Sequence, residues 1–292
     1  MDLLPEFIEL YFFAGRIIAL RTICYLKTFF RGNLLKTNLV KIEENHMKLE
    51  KKLVTTGYWL FRWRSYFPII MILIFIPAMA EYEYLGGDRE MTTYWGLFSL
   101  FIGLFGLFFR ILVVGHTPQN TSGRNTREQI AEVLNTTGWY SVVRHPLYFG
   151  NYLMGLGIAI FPCIWWLPVI YTLSFALYYE RIMAAEEDFL RTKFGEDFEK
   201  WSEITPGFFP AFYKWDSPSL EFSFKNILRR EYSSLFALVL SFSILDMTGN
   251  FLVEKKFYLV TIWNYLFWIT LVAYLILRTV KRHTTILDVK GR

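Results

Sequence analysis

Long apolar stretches alternate along the chain with short segments crowded with Lys, Arg, Asp and Glu, and the lengths of the apolar stretches set the architecture. Roughly 20 residues of helix cross a hydrocarbon core. On that measure spans are expected at about Tyr66 to Ala80, Tyr94 to Val114, Ser234 to Val253 and Phe257 to Leu277. The apolar run from about Leu147 to Tyr179 reads as a hairpin of two short membrane helices, with Pro162 and Pro168 marking its tip. The expected fold is therefore all-α: a polytopic transmembrane helical bundle with about six spans, preceded by an amphipathic helix. That helix is read over Pro5 to Phe30, where Glu6, Glu9, Arg16 and Lys27 share one face and Ile8, Tyr11, Ile18, Leu26 and Phe29 the opposite one. The charged stretch from Lys36 to Arg64 reads as a cytoplasmic connector whose end, YWLFRWR, is an interfacial anchor. Four regions follow: 1–65, the amphipathic helix and connector; 66–114, a first membrane pair; 115–210, a core with the hairpin; and 211–292, a second pair with a basic tail.

Composition agrees with the pattern. The chain is 54% hydrophobic and 20% aromatic with a mean hydropathy of +0.29, well above the roughly 45–50% apolar residues, glycine included, of a soluble domain. Lys and Arg gather in the N-terminal connector, the Gly115 to Arg144 loop, the Arg181 to Arg230 region and the tail. The positive-inside rule makes those segments and both termini cytoplasmic. The net charge of +5 has the same origin, and no basic run interleaved with aromatics suggests a nucleic-acid partner. The sequons at Asn120 and Asn135 would face the cytoplasm, out of reach of glycosylation. Cys24 and Cys163 lie far apart and form no CxxC, and the four histidines lack ligand spacing, so no metal is expected.

Two stretches carry the chemistry. In GWYSVVRHPLYFGNYLMGLG, the pair Arg144-His145 stands just before Pro146, a residue suited to the first turn of a helix. In YYERIMAAEEDFLRTKFGEDFEKW, Glu186 and Glu187 follow the second arm of the hairpin, which should return them to the level of Arg144 and His145. A ligand bearing a sulfonium and an ammonium needs carboxylates, and Leu134, Tyr140 and Tyr148 could provide a slot for an adenine ring. Gly155 and Gly157 would let a cofactor or another backbone come close. Asp246, inside the fifth span, is read as a structural hydrogen-bonding group near the outer end of its helix.

The ordered set Gly138-Trp139-Tyr140, Arg144-His145-Pro146-Leu147-Tyr148, Gly150, Glu186-Glu187, Phe194-Gly195, Phe198, Trp201 and Pro206 to Pro210 resembles the isoprenylcysteine carboxyl methyltransferase and phospholipid methyltransferase family, over about Gly115 to Pro210. The resemblance implies an integral membrane enzyme that moves a methyl group from S-adenosyl-L-methionine to a lipid or lipidated acceptor. It implies cofactor contacts at Leu134, Tyr140, His145 and Glu186, with Asn125, Val133 and Asn135 as further candidates. Glu187, Gly155 and Gly157 match features of the phospholipid-acting members, and Arg181 lies near the family's acceptor-binding arginine. Glu132 stands where members often carry a histidine, and the helices after Pro210 fall outside the match. Arg144 and Arg181, with Arg124 or Arg127, could clamp an anionic acceptor by bidentate hydrogen bonds. The reading is O-methylation of an anionic lipid head group, either a prenylcysteine-type carboxylate or a lipid phosphate such as that of lipid A. N-methylation of a phosphatidylethanolamine-type amine is the alternative, with Glu187 or His145 as the base. An NADPH-dependent sterol reductase-like protein and a non-catalytic lipid-binding protein remain open. In the absence of a C-terminal retention signal, a bacterial inner membrane is expected rather than an endoplasmic reticulum.

Overall fold

The computed structural model describes residues 33–118, 129–258, 260–289 and 291. The amphipathic helix expected over Pro5 to Phe30 and the candidates Arg124, Asn125 and Arg127 lie outside the described residues. Nine α-helices occur among them: α1 Asn33–Trp63, α2 Phe67–Ala80, α3 Arg89–Gly115, α4 Trp139–Val142, α5 Pro146–Ile160, α6 Trp166–Phe194, α7 Glu196–Ile204, α8 Phe224–Glu254 and α9 Ile262–His283. Three of these, α3, α8 and α9, are long and apolar enough to cross a membrane. Two shorter apolar helices, Ile69–Ala80 and Pro146–Ile160, stand where two more spans were expected. The remaining stretch, Pro168 to Tyr179, is the first part of the 29-residue α6, which runs on through Glu186 and Glu187 without a break. At 1.5 Å per residue α5 is about 22 Å long, less than the roughly 30 Å hydrocarbon core. The hairpin turn falls at 161–165, with Cys163 in a left-handed conformation (φ 59°), and Pro168 sits inside the first turn of α6.

The connector expected from Lys36 to Arg64 is instead the helix α1, continued by a single 3-10 turn at Arg64–Tyr66. Leu49, Leu53, Gly57, Phe61 and Arg64 recur every three or four residues on its less exposed side, the spacing of one helix face. That face lies along α6. A Cβ on Gly57 would stand 1.9 Å from the Arg181 carbonyl oxygen, the Tyr58 hydroxyl donates to Asp188 Oδ2 at 3.0 Å, and the Tyr178 hydroxyl donates to the Leu60 carbonyl at 3.3 Å. High charge density on the outward face concealed the stripe.

Helices α3 and α5 meet backbone to backbone. A Cβ on Gly106 would lie 2.6 Å from the Gly150 carbonyl oxygen, and one on Gly157 would lie 2.6 Å from that of Ser99; small residues at this spacing let membrane helices approach closely. One apolar core, with Phe175, Tyr171 and Leu167 at its centre, joins α1, α2, α5 and α6. A second, around Phe161, Phe242 and Trp263, joins α3 to α8 and α9. The last helix begins five residues later than the hydropathy pattern suggested. Lys255 adopts a left-handed conformation that stops α8, and the Thr261 side chain caps α9 by accepting from the Asn264 amide.

Two helix termini are tied together at one end of the bundle. Ser223 N donates to the Gly115 carbonyl at 2.9 Å, the Asn226 side-chain amide donates to the Val114 carbonyl at 2.8 Å, and His116 Nδ1 donates to the Leu220 carbonyl at 2.9 Å. The end of α3 and the start of α8 are thereby held level. Gly138 pairs with Asp216 across an isolated antiparallel bridge, which brings α4 and the start of α5 to the same level.

Candidate active site

At that tied end the hairpin brings Arg144 and His145 against Glu186 and Glu187. Pro146 opens α5 and leaves His145 just outside the helix, so the imidazole is directed by its neighbours and not by the helix repeat. His145 Nε2 lies 3.1 Å from Glu187 Oε1 and Nδ1 lies 3.4 Å from Glu186 Oε2. Two ring nitrogens facing two carboxylates can both donate only as imidazolium. Burial alone would push the ring towards neutrality, but hydrogen bonds to Glu186 and Glu187 and the charges of both carboxylates outweigh it, so the imidazole is held above its usual value.

Glu187 is buried and shared. It accepts from Arg144 Nε at 2.9 Å as well as from His145. The Arg144 guanidinium also donates from Nη1 to the carbonyls of Ser202 and Thr205 at 2.8 and 2.6 Å, and its amide donates to the Pro206 carbonyl at 2.8 Å. Arg144, expected to clamp an acceptor, is thus engaged inside the protein: it fastens the segment after α7 to the hairpin. The physical reason is local, because the carbonyls at the C-terminal end of α7 need donors and Arg144 reaches those of Ser202 and Thr205.

Glu186 differs from its neighbour. Its Oε1 accepts from the Tyr148 hydroxyl at 2.7 Å and lies 3.5 Å from Arg64 Nη1, yet its side chain retains 23% of its exposure. Tyr148 stacks beside His145, ring centroids 5.8 Å apart. Tyr140 lies on α4 with its carbonyl accepting from Trp201 Nε1 at 3.0 Å. Burial pushes its phenol up to about 12, so at neutral pH it is a hydrogen-bond donor and not a base. Leu134, Val133 and Asn135 lie in the loop leading to α4, with Leu134 and Asn135 half-buried and Val133 exposed.

Other expected residues are placed elsewhere. Gly155 and Gly157 sit at close helix contacts: a Cβ on Gly155 would collide with the Tyr171 hydroxyl, and Gly157 lies against Ser99 and Gly103 of α3. Arg181 turns its guanidinium back to the Leu177 carbonyl of its own helix and is not brought into the cluster. Asp246 is half-buried towards the far end of α8, one turn before Asn250, whose Oδ1 accepts from the Tyr84 hydroxyl.

Two groups escaped the sequence reading. Arg64, at the end of α1, reaches Glu186 while its guanidinium lies 4.0 Å from the Phe61 ring centroid. Arg110, inside the apolar α3, is gripped by Glu231 of α8 through Nε at 3.0 Å and Nη2 at 2.7 Å, and its Nη1 donates to Asn151 of α5. An arginine in the run LFGLFFRILVV is a signal by itself, since a charge inside a span needs a partner. The partner's position in RREY carried no comparable signal. Among the described residues, no group of three or more His, Cys, Asp or Glu is arranged to hold a metal ion.

Comparison with known proteins points the same way as this geometry. The chain is 36% identical over 98 residues to the nickel-cobalt-cadmium resistance protein NccN of Alcaligenes xylosoxydans xylosoxydans, covering 34% of this chain and 43% of that protein. It is 37% identical over 86 residues to the cobalt-zinc-cadmium resistance protein CzcN of Cupriavidus metallidurans, covering 29% and 39%. The chain thus spans less than half the length of these curated relatives. No solved structure matches it. Residues 93–197 match the phospholipid methyltransferase family, and this segment contains α3 beyond its first four residues, α4, α5, α6 and the His145, Glu186 and Glu187 cluster. Over residues 93–197, therefore, the chain matches the phospholipid methyltransferase family, a family of integral membrane methyltransferases.

Proposed function

We propose that the protein transfers the methyl group of S-adenosylmethionine to an anionic oxygen on a lipid head group, with the cluster at the cytoplasmic surface of a bacterial inner membrane. The observation that carries this reading is the contrast between Glu186 and every other charged group around it. Glu186 is half-buried with acceptor capacity to spare, at the level where α3 ends and α5 and α8 begin. A carboxylate of this kind suits the ammonium of an amino-acid-bearing cofactor, and Tyr148, Tyr140 and Leu134 supply aromatic and apolar surface for an adenosine moiety. When bound, S-adenosylmethionine supplies an electrophilic methyl on a sulfonium, and transfer is an in-line displacement in which the C–S bond breaks as the new bond forms. The protein's tasks are alignment and exclusion of water.

The choice of oxygen over nitrogen rests on the state of the bases. His145 is biased towards its protonated form by the two carboxylates it faces, Glu187 is paired with Arg144 and His145, and Tyr140 keeps its proton. An ammonium head group would have to lose a proton to one of them, whereas a carboxylate or phosphate oxygen is nucleophilic as it stands. Arg64, beside Glu186, is the arginine we assign to the acceptor's charge. Methyl esterification removes one negative charge per head group, and a less anionic surface attracts divalent cations less strongly. That consequence would connect the chemistry to the metal resistance for which NccN and CzcN are named.

Membranes containing the protein, supplied with subsaturating S-adenosylmethionine labelled in its methyl group, should incorporate label into a base-labile lipid ester, and Glu186→Gln membranes should incorporate several-fold less. Label in an amine head group would establish N-methylation in its place. Equal incorporation by the Glu186→Gln protein would remove Glu186 from the site.

A further inference from the structure

The segment between α7 and α8 is outside the matched family region, and its surface is unlike that of a water-facing loop. Tyr213 is 86% exposed, Phe224 is 72% exposed, and Ile204, Phe209 and Phe212 are exposed as well. Lys214, the one cation among residues 204–215, folds its ammonium back onto the Ile204 carbonyl, so the crest it interrupts stays apolar.

Exposure here does not come from looseness. Phe208 points inward against Phe149, Tyr152 and Phe175, while the next residue, Phe209, points out. Ala211 N donates to the Val142 carbonyl at 2.9 Å, and Gly138 N donates to the Asp216 carbonyl at 3.0 Å. The Phe212 and Trp215 rings meet Trp139 edge-on. Arg144, which holds Glu187, also holds the Ser202 and Thr205 carbonyls. A strap this firmly stitched presents its apolar residues by construction, and a contiguous exposed apolar patch marks an interaction surface.

The level of the strap identifies the occupant. Residues 216–223 connect its far end to α8, a helix long and apolar enough to span, and the last of them, Ser223, is bonded to the last residue of α3, itself another such helix. Residues at that height lie where hydrocarbon meets head groups, the layer that aromatic side chains favour. We propose that the strap 204–215 is embedded in the head-group layer of the bilayer and forms the lip of the site, over which the acyl chains of a lipid acceptor pass to reach the Glu186 cluster. The bilayer contact stands on the strap alone; the passage of an acceptor rests on the function proposed above.

Two measurements separate these parts. With Cys24 and Cys163 changed to Ser, an environment-sensitive fluorophore on Tyr213→Cys, in the full chain reconstituted in phosphatidylethanolamine–phosphatidylglycerol vesicles, should show blue-shifted emission. Lipids bearing a shallow nitroxide should quench it several-fold more than the same fluorophore on Lys200→Cys, a position on α7 whose side chain is 73% exposed. Equal quenching at the two positions, or water-like emission from position 213, would overturn the bilayer contact and favour a protein partner. In the second measurement the triple variant Phe209→Ser, Phe212→Ser, Tyr213→Ser should raise the KM for vesicle-borne acceptor several-fold, with kcat and cofactor affinity unchanged. Strong quenching with an unchanged KM would leave the bilayer contact in place and overturn the lip. Absence of any methyl transfer by the unaltered protein would count against the proposed function and the passage of an acceptor, and the quenching result would still decide the bilayer contact.

Discussion

Two charged clusters lie near the same end of the bundle, and they handle charge in opposite ways. In the first, Arg144, His145 and Arg64 surround two carboxylates, one of which, Glu186, remains partly open. In the second, one carboxylate, Glu231, closes on one guanidinium, Arg110, through two parallel hydrogen bonds. The first draws its carboxylates and its Arg144-His145 pair from one hairpin within the family segment. The second rivets α3 and α5 to α8, which lies beyond that segment. An open cluster can exchange partners with a ligand, whereas a closed bidentate pair can only hold helices together. Charge at the membrane boundary therefore identifies a site only when some of it is left accessible.

The comparison breaks most visibly at the closed pair. Glu231→Leu should cost about 3–5 kcal/mol, the usual effect of stranding a buried charge, read as a fall in thermal midpoint in detergent or nanodiscs. The double variant Arg110→Met, Glu231→Leu should recover most of that loss, since a buried ion pair replaced by apolar groups is often neutral. A silent single variant would mean that the pair holds nothing together.

Gly157→Ala tests the shared element, because α5 carries Tyr148, which bonds Glu186, and Asn151, which bonds Arg110. Its new methyl would meet backbone atoms of Ser99 and Gly103 at 2.6–2.7 Å, and overpacking of this kind costs about 1–3 kcal/mol. Were the glycine a cofactor contact, cofactor affinity would fall while the thermal midpoint held.

Glu186→Gln should do the reverse. It should weaken cofactor binding about tenfold, about 1.4 kcal/mol, with little change in thermal midpoint, because the accessible carboxylate contributes less to the fold than the enclosed ones.

The smallest effect separates the clusters by pH. A histidine whose folded value is raised contributes stability that is complete below its unfolded value, near 6.5, and is lost as pH rises through the folded value. The stability advantage of the unaltered protein over His145→Gln should therefore be greatest at pH 6 and decline as the pH is raised above 6.5. The advantage over Glu231→Leu should stay level across the same range. A flat profile for His145 would show that folding does not raise its value.

Legibility in the sequence followed the range of the interactions. Apolar run length marked α3, α8 and the hairpin, and the pairs Arg144-His145 and Glu186-Glu187 announced their meeting, because a hairpin of two short arms leaves few ways to place them. Hydropathy was less informative where charge and helix coincide: the buried stripe of α1 was obscured by its charged outer face, and the late start of α9 depended on a left-handed Lys255 and a Thr261 cap. Gly155 and Gly157 read equally well as cofactor contacts or packing residues, since a missing side chain does not say what fills the space.

The sequence by itself determined that the chain is helical and built for a membrane, and it brought a cationic pair opposite a carboxylate pair, because period, run length and short-range order are local properties of the chain. Tertiary structure alone decided which charges remain accessible. Whether Arg144 faces a ligand or the carbonyls of Ser202 and Thr205, and whether Arg110 finds Glu231 across 121 residues of sequence, depends on which donors and acceptors packing brings within about 3 Å, the distance at which a hydrogen bond forms.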